Sequence, residues 1–232
     1  VDWSTRGTVR PYFGAFCIIF ALFTIPLYLM SAQVIWTMRR SATYKVMFVL
    51  AIADIATLFV NAFTFGILLI MGEVFCHHPK MHFLNALVAM FFFTLSCITC
   101  VVLAINRMLE LMSTTMYNFI FKGSRTWYLL VACLFYPFFI AFFTPLFLFN
   151  SDYHLLIVNP GIYEDDRYDY YNLAHIFNNT MMPCISFTTY IFMLLYLLFN
   201  ESECSLDSPC FNSAYMVTQY VPPSHAVLYM AQ

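Results

Sequence analysis

Asp54 is the only formally charged side chain deep inside any of five long apolar stretches of the chain. It lies in Val49-Leu50-Ala51-Ile52-Ala53-Asp54-Ile55-Ala56, eight residues into a run from Val46 to Gly72 that is otherwise uncharged. Carrying a carboxylate to the middle of a membrane helix costs roughly 2.5–3.5 kcal/mol on insertion scales. Such a group faces a bundle interior, where it finds a partner or water, and its chemistry is that of an ion or proton path or of a polar switch point. A second set of residues closes the third stretch, which ends Leu103-Ala104-Ile105-Asn106-Arg107-Met108-Leu109-Glu110. Ser96 stands eleven residues before Arg107, close to three helical turns, so the two share a helix face. Taken alone, Arg107 has an equally good reading as a snorkelling residue at a membrane helix end.

Other candidates carry weaker chemistry. Cys76, His77, His78 and His82 are suited to zinc, with His78 and His82 at i,i+4 spacing, but Pro79 between them and the loop setting argue against a preformed site, and no metal is expected. Tyr163–Tyr171 interleaves tyrosines with Glu164, Asp165, Asp166 and Asp169. A solvated loop is the expected role there, with capture of a cationic ligand as the functional alternative. His175 is expected at the membrane interface. No hydrolase nucleophile motif, phosphate loop or dinucleotide fingerprint is present, so neither an enzyme nor a cofactor is expected.

The elements that must position these residues are membrane helices. Of the 232 residues, 62% are hydrophobic and 9% charged, against about 25% charged in soluble domains. Five segments reach the ~20 apolar residues a span needs: Tyr12–Met38, Val46–Met71, Phe83–Ile105, Thr126–Phe149 and Asn172–Phe199. A soluble core would require five helices apolar on every face, and a β-barrel would require alternation that these continuous runs lack. The fold class is therefore all-α, a polytopic transmembrane bundle of five full spans. Pro26, Pro137, Pro145 and Pro183 are expected inside helices, where each frees a carbonyl and acts as a static bend or a hinge.

Charge sets the orientation. Six basic residues (Arg39, Arg40, Lys45, Arg107, Lys122 and Arg125) flank one side of the spans, and four (Arg6, Arg10, Lys80 and Arg167) the other. This bias places the amino terminus outside and the end of the third segment in the cytoplasm. The net charge of −2 indicates no nucleic-acid partner. Of the sequons, Asn178-Asn179-Thr180 falls near the outer end of the fifth helix and Asn200-Glu201-Ser202 in the cytoplasm. Five of eight cysteines lie in apolar segments, and Cys76 has no partner in the acidic outer loop, so a disulfide framework is not expected.

Beyond Asn200 the chain turns polar, and Phe211–Val221 is too short to span before Pro222-Pro223 breaks it. The expected organisation is residues 1–200 as the transmembrane portion and 201–232 as a polar segment with helix remnants.

The Leu-Ala-Ile-Ala-Asp54 run, Arg107 at the end of the third segment and Pro183 in the fifth resemble the pattern of seven-helix receptors coupled to G proteins. Within that superfamily the chain is most similar to the nematode serpentine chemoreceptors of class T. The likeness covers roughly residues 10–200 and rests on Tyr44-Lys45-Val46-Met47-Phe48, Glu73-Val74-Phe75-Cys76 and Ser96-Cys97-Ile98-Thr99-Cys100, followed by Leu103-Ala104-Ile105-Asn106-Arg107. Cys210–Tyr215 and Gln219–His225 look like a compressed sixth helix running into the start of a seventh.

The resemblance implies that Asp54 matches the interior carboxylate that binds sodium in rhodopsin-like members, and that Ser96 is a polar neighbour in its pocket. It implies that Arg107 is the arginine released towards a heterotrimeric G protein. Asn106 and Met108 stand where that pattern has an acid and a tyrosine, which leaves Glu110 to restrain Arg107. Polar groups of a seventh helix are absent, so this chain is expected not to signal by itself. The reading is a chemosensory-type receptor for a small molecule in the plasma membrane, in contact with membrane lipid. The alternative is a small transporter or channel subunit in which Asp54 serves an ion path.

Overall fold

A computed structural model describes residues 7–158 and 171–203, with the side chains of 200–203 left undescribed. The chain is all-α and polytopic, with five helical segments long and apolar enough to cross a membrane. The first is α1 (Pro11–Thr37), begun by a proline whose fixed φ suits the first helical position. The second is built from α2 (Ala42–Leu58), a π-turn (Phe59–Thr64) and α3 (Phe65–Met71), closed by Gly72 in the left-handed conformation at φ +66°. The third is α4 (Pro79–Met112). A short helix, α5 (Thr114–Phe121), follows it, capped by the Ser113 hydroxyl, which accepts from the Met116 N–H at 3.4 Å.

The fourth span differs from the continuous segment Thr126–Phe149 expected from hydropathy. It consists of α6 (Arg125–Cys133) and α7 (Phe135–Phe143), interrupted at Leu134. Pro137 lacks the N–H that would bond to the Cys133 carbonyl, which accounts for the interruption. Pro145 lies outside the helix, contrary to expectation. It biases the residue before it to extended backbone, and Thr144 sits at φ −122°, ψ 157°, ending α7. The chain then forms an antiparallel hairpin, β1 (Leu148–Asn150) with β2 (Leu155–Ile157), pairing Phe149 with Leu156. This hairpin had no signal in an apolar-run reading.

The last span is α8 (Leu173–Glu203). Asn172 caps it, its Oδ1 accepting from the His175 N–H at 2.8 Å while its Nδ2 donates to the Pro145 carbonyl at 2.5 Å. One residue thus starts α8 and ties it to the end of α7. The chain divides into two units at Thr189/Tyr190, and the second begins with the remainder of α8. The expected remnants of a sixth and seventh helix, and the acidic stretch Tyr163–Asp169, lie outside the described residues.

Within the first unit, α1 packs closely on α3 and α2 on α4. Gly14 and Gly66 let α1 and α3 approach backbone to backbone: a Cβ on Gly66 would lie 2.7 Å from the Gly14 carbonyl oxygen. The hairpin end is a stitched cap. Thr8 N–H donates to Ser151 Oγ at 3.2 Å, Arg10 N–H to the Leu69 carbonyl at 2.9 Å, and Ser151 N–H to the Glu73 carbonyl at 3.2 Å. Phe149 is buried there with Leu68 and Leu69, its ring parallel to that of His82 with centroids 6.1 Å apart. At the Arg107 end, Val46, Val102, Phe121 and Leu130 form the other core cluster. Large side chains left exposed, such as Phe16, Phe23, Phe135 and Phe143, are the lipid face of a membrane protein.

Candidate functional site

Asp54 comes from near the end of α2, midway along the second span, and Ser96 from the middle of α4, with which α2 is closely packed. The Ser96 hydroxyl donates to Asp54 Oδ1 at 2.8 Å. On its other side Asp54 borders a cavity of about 300 Å³ lined by Phe20, Thr24 and Tyr28 of α1 and by Thr57 and Leu58. The carboxylate therefore sits between three helices, with one hydroxyl bound to it and three more side-chain hydroxyls, of Thr24, Tyr28 and Thr57, in the adjoining wall.

Above this pair, towards the hairpin, lies a cavity of about 350 Å³. Its walls are Asn61 from the π-turn, Ala86, Ala89, Met90 and Phe93 from α4, His175 and Asn179 from α8, and Phe147 and Leu156 from the hairpin region. Among the described residues, no carboxylate, lysine or arginine lines it. His175 is held between the rings of Phe147 and Phe93, at 4.4 and 5.6 Å. Asn179 Nδ2 lies 2.9 Å from His175 Nε2. An amide N–H there makes Nε2 the acceptor and leaves the ring proton on Nδ1, which is buried without a partner. Phe93 of this cavity and Ser96 of the carboxylate pair are three residues apart, one turn along the same face of α4.

Arg107 does not join Asp54. It is exposed at the far end of α4, eleven residues or ~16 Å beyond Ser96. Its Nη1 lies 3.2 Å from Glu110 Oε2, so the acid three residues on is the arginine's partner. Asn106 faces inward and is fully buried, its Oδ1 accepting from the Thr43 hydroxyl of α2 at 2.7 Å. Burial, with the nearby Glu110 carboxylate, pushes the Tyr117 phenol of α5 up from the ordinary value. Asn106→Ala removes a buried acceptor and strands the Thr43 hydroxyl. It is expected to cost about 1–3 kcal/mol and lower the midpoint of thermal unfolding. Thr43→Val and the double variant complete the cycle, and a coupling near zero would mean the pair contributes nothing.

Around Pro183, α8 runs without interruption. The histidine cluster is organised by Glu73, not by Cys76. Glu73 is buried, and its Oε2 lies 3.3 Å from His77 Nδ1, 3.2 Å from His78 Nδ1 and 3.7 Å from His82 Nε2. Pro79 is the first residue of α4 instead of an obstacle within it, which puts His78 at the cap and His82 in the first turn. Among the described residues, no group of three or more His, Cys, Asp or Glu side chains is arranged to hold a metal ion. The six cysteines among the described residues are free.

Three functional candidates were not singled out from the sequence. Asn61 stands seven residues after Asp54 in the same apolar run, two helical turns on, and that spacing was a usable signal. Asn178 is buried in α8, its Oδ1 accepting from the Tyr136 hydroxyl at 3.1 Å. Its sequon drew attention away from this interior role. Glu73 lies next to a turn glycine, where a buried carboxylate has no sequence signature.

A multi-pass helical bundle with a carboxylate in its interior and a roofed cavity above it defines an integral membrane protein with a receptor-like core. The model of the family described as serpentine type 7TM GPCR chemoreceptor Srt matches residues 1–221, and the chain belongs to that family, the nematode serpentine chemoreceptors of class T. No match was found among curated proteins.

Proposed function

We propose that this chain binds a small neutral molecule in the cavity beneath the hairpin and relays its presence through Asp54 and Ser96 to the Arg107 end. The carrying observation is that the cavity and the Asp54–Ser96 pair lie one helical turn apart on α4. The volume suits a compact ligand at the lower end of the usual range of about 300–1,000 Å³. The described lining residues carry no formal charge, which disfavours ions, and the unpartnered His175 Nδ1–H asks for an acceptor such as a ketone, aldehyde or ester oxygen.

The mechanism is a population shift, in which a ligand that fits one arrangement of α4 and α8 better than another biases the bundle towards it. Pro183 cannot donate to the Asn179 carbonyl, one turn away in the cavity wall, and the missing bond makes this turn the hinge of α8 in the proposed shift. In the proposed orientation the amino terminus and hairpin lie outside the plasma membrane. Arg107, released from Glu110, faces a heterotrimeric G protein, with Asn106 fixing the helix end from within. Residues 1–200 form the transmembrane portion that does this work, and 201–232 lead on from it.

The test is binding to the purified chain in nanodiscs, using a panel of small ketones, aldehydes, esters, alkanes, amines and carboxylic acids. Acceptor-bearing neutral compounds are expected to bind, and His175→Leu to weaken them at least tenfold, equivalent to about 1.4 kcal/mol, with alkanes unaffected. Preferential binding of amines or acids, or indifference to His175→Leu, would sink this reading.

A further inference from the structure

The Arg107 end holds a separate cavity of about 570 Å³, lined by Trp36, Thr37, Arg39, Arg40, Lys45 and Trp127. It lies where the end of α1, the turn into α2 and the first turn of α6 meet. Three of its six lining residues are cations and none is an acid. Arg39 stacks on the Trp36 ring at 4.3 Å and donates to the Trp36 carbonyl at 3.0 Å, which holds the guanidinium at the rim. Lys45 is 8% exposed, and its Nζ donates to the Gly123 carbonyl at 2.6 Å. That bond uses one of three ammonium protons and supplies no counter-charge. The ion pairs among the described residues are elsewhere, at Glu73 and between Arg107 and Glu110.

A buried ammonium beside two guanidinium groups, with no carboxylate paired to any of them among the described residues, is an electrostatic deficit that an anion repairs. Phosphate oxygens suit it, because guanidinium groups meet them two bonds at a time. The surroundings point to where the anion comes from. Trp36 and Trp127 stand at the ends of two spans, the depth at which tryptophans mark the headgroup layer. From Thr37 in the cavity wall, Val34, Met30 and Leu27 recur at three- and four-residue spacing along α1, all exposed. This stripe is an apolar track leading from the cavity mouth into the hydrocarbon. A soluble anion would use the cations and leave the track idle; a lipid uses both.

We infer that this cavity is a binding site for the phosphorylated headgroup of an anionic membrane lipid, with Arg39, Arg40 and Lys45 as its ligands and the Leu27–Thr37 face of α1 carrying an acyl chain. Basic pockets between membrane helices on the cytoplasmic side hold such headgroups. The cavity is distinct from the one beneath the hairpin, and the site stands whether or not that cavity takes a small molecule.

The experiment is native mass spectrometry of the purified full chain in detergent with added phosphatidylcholine, phosphatidylserine or phosphatidylinositol 4,5-bisphosphate, and separately with soluble inositol 1,4,5-trisphosphate. One bisphosphate lipid is expected to remain bound under activation that strips phosphatidylcholine. Arg39→Gln/Arg40→Gln is expected to reduce its retention at least tenfold. Lys122→Gln/Arg125→Gln, which removes two exposed charges outside the cavity lining, is expected to change it less than threefold. The first pair of substitutions is exposed and leaves the Lys45–Gly123 bond in place, so folding is preserved; an unchanged unfolding temperature checks that. Equal losses in both double variants would reduce the effect to general surface charge and overturn the site. Soluble trisphosphate binding as well as the lipid would overturn the role of the acyl track. No selective retention of the bisphosphate lipid would overturn the proposal entirely.

Discussion

Gly66→Leu is expected to abolish recovery of a monodisperse protein. The Cβ of any residue at this position would lie 2.7 Å from the Gly14 carbonyl oxygen, 2.8 Å from Ile18 Cγ1 and 3.2 Å from Cys17 Cβ. The reverse view is as tight: a Cβ on Gly14 would lie 2.6 Å from the Gly66 carbonyl oxygen. The first obstacle in each direction is backbone, which cannot rotate aside as a flexible side chain can. Helix α1 must then separate from α3. Overpacking of this kind costs typically 1–3 kcal/mol and more where the neighbours are rigid. In lipid no hydrophobic term favours helix association, so the loss of close packing is not made up. Size-exclusion chromatography of a fluorescent fusion and surface biotinylation read the outcome. A symmetric peak with the parent's unfolding temperature would show that the α1–α3 contact is dispensable.

Asp54→Asn is expected to do the opposite: leave the fold intact and remove the response. Asparagine keeps an acceptor for the Ser96 hydroxyl, now 2.8 Å from Asp54 Oδ1, and gives up the charge. An ionised acceptor contributes roughly 1.5–3 kcal/mol and a neutral one roughly 0.5–1.5 kcal/mol. Against that loss stands relief of part of the roughly 2.5–3.5 kcal/mol spent on a carboxylate at mid-membrane. The net is on the order of 1 kcal/mol in favour of the variant, seen as an unchanged or raised unfolding temperature. In a receptor form that carries all seven helices, ligand-triggered nucleotide exchange on a co-reconstituted G protein is expected to fall at least tenfold, with no proton flux in either protein. Flux that disappears with the substitution would instead establish an ion path through Asp54. A variant that responds as the parent does would remove Asp54 from the relay.

The spans were legible because one-dimensional hydropathy measures the solvent they sit in, and lipid demands the same composition of every helix. Their breaks were less so. Pro137 and Pro145 look alike in a run of Phe and Leu, yet one sits inside α7 and the other follows its end, and only the packing of Asn172 on the Pro145 carbonyl distinguishes them. Asp54 and Ser96 were legible as polar exceptions on apolar faces. The cavity beneath the hairpin was not, because it is assembled from the π-turn, α4, α8 and the hairpin region, and no one of them carries a motif. His175 illustrates the difficulty: in sequence it is an interfacial histidine, and in space Phe93, eighty-two residues earlier, and Phe147 enclose it.

The π-turn at Phe59–Thr64 has a further consequence for how this span tolerates change. Ahead of it, Asp54 must point at α4; behind it, Gly66 must lie against Gly14 of α1. These two obligations bear on different neighbours, and the wider turn sets the angular offset between them. Each residue of an α-helix advances the direction of its side chain by about 100°. Deleting one residue here would swing the whole of α3 by that amount relative to α2, and Gly66 would no longer meet Gly14. The span is thus indexed at both ends, like a key with two bits. Its lipid face accepts many side chains, but its length admits no change of one.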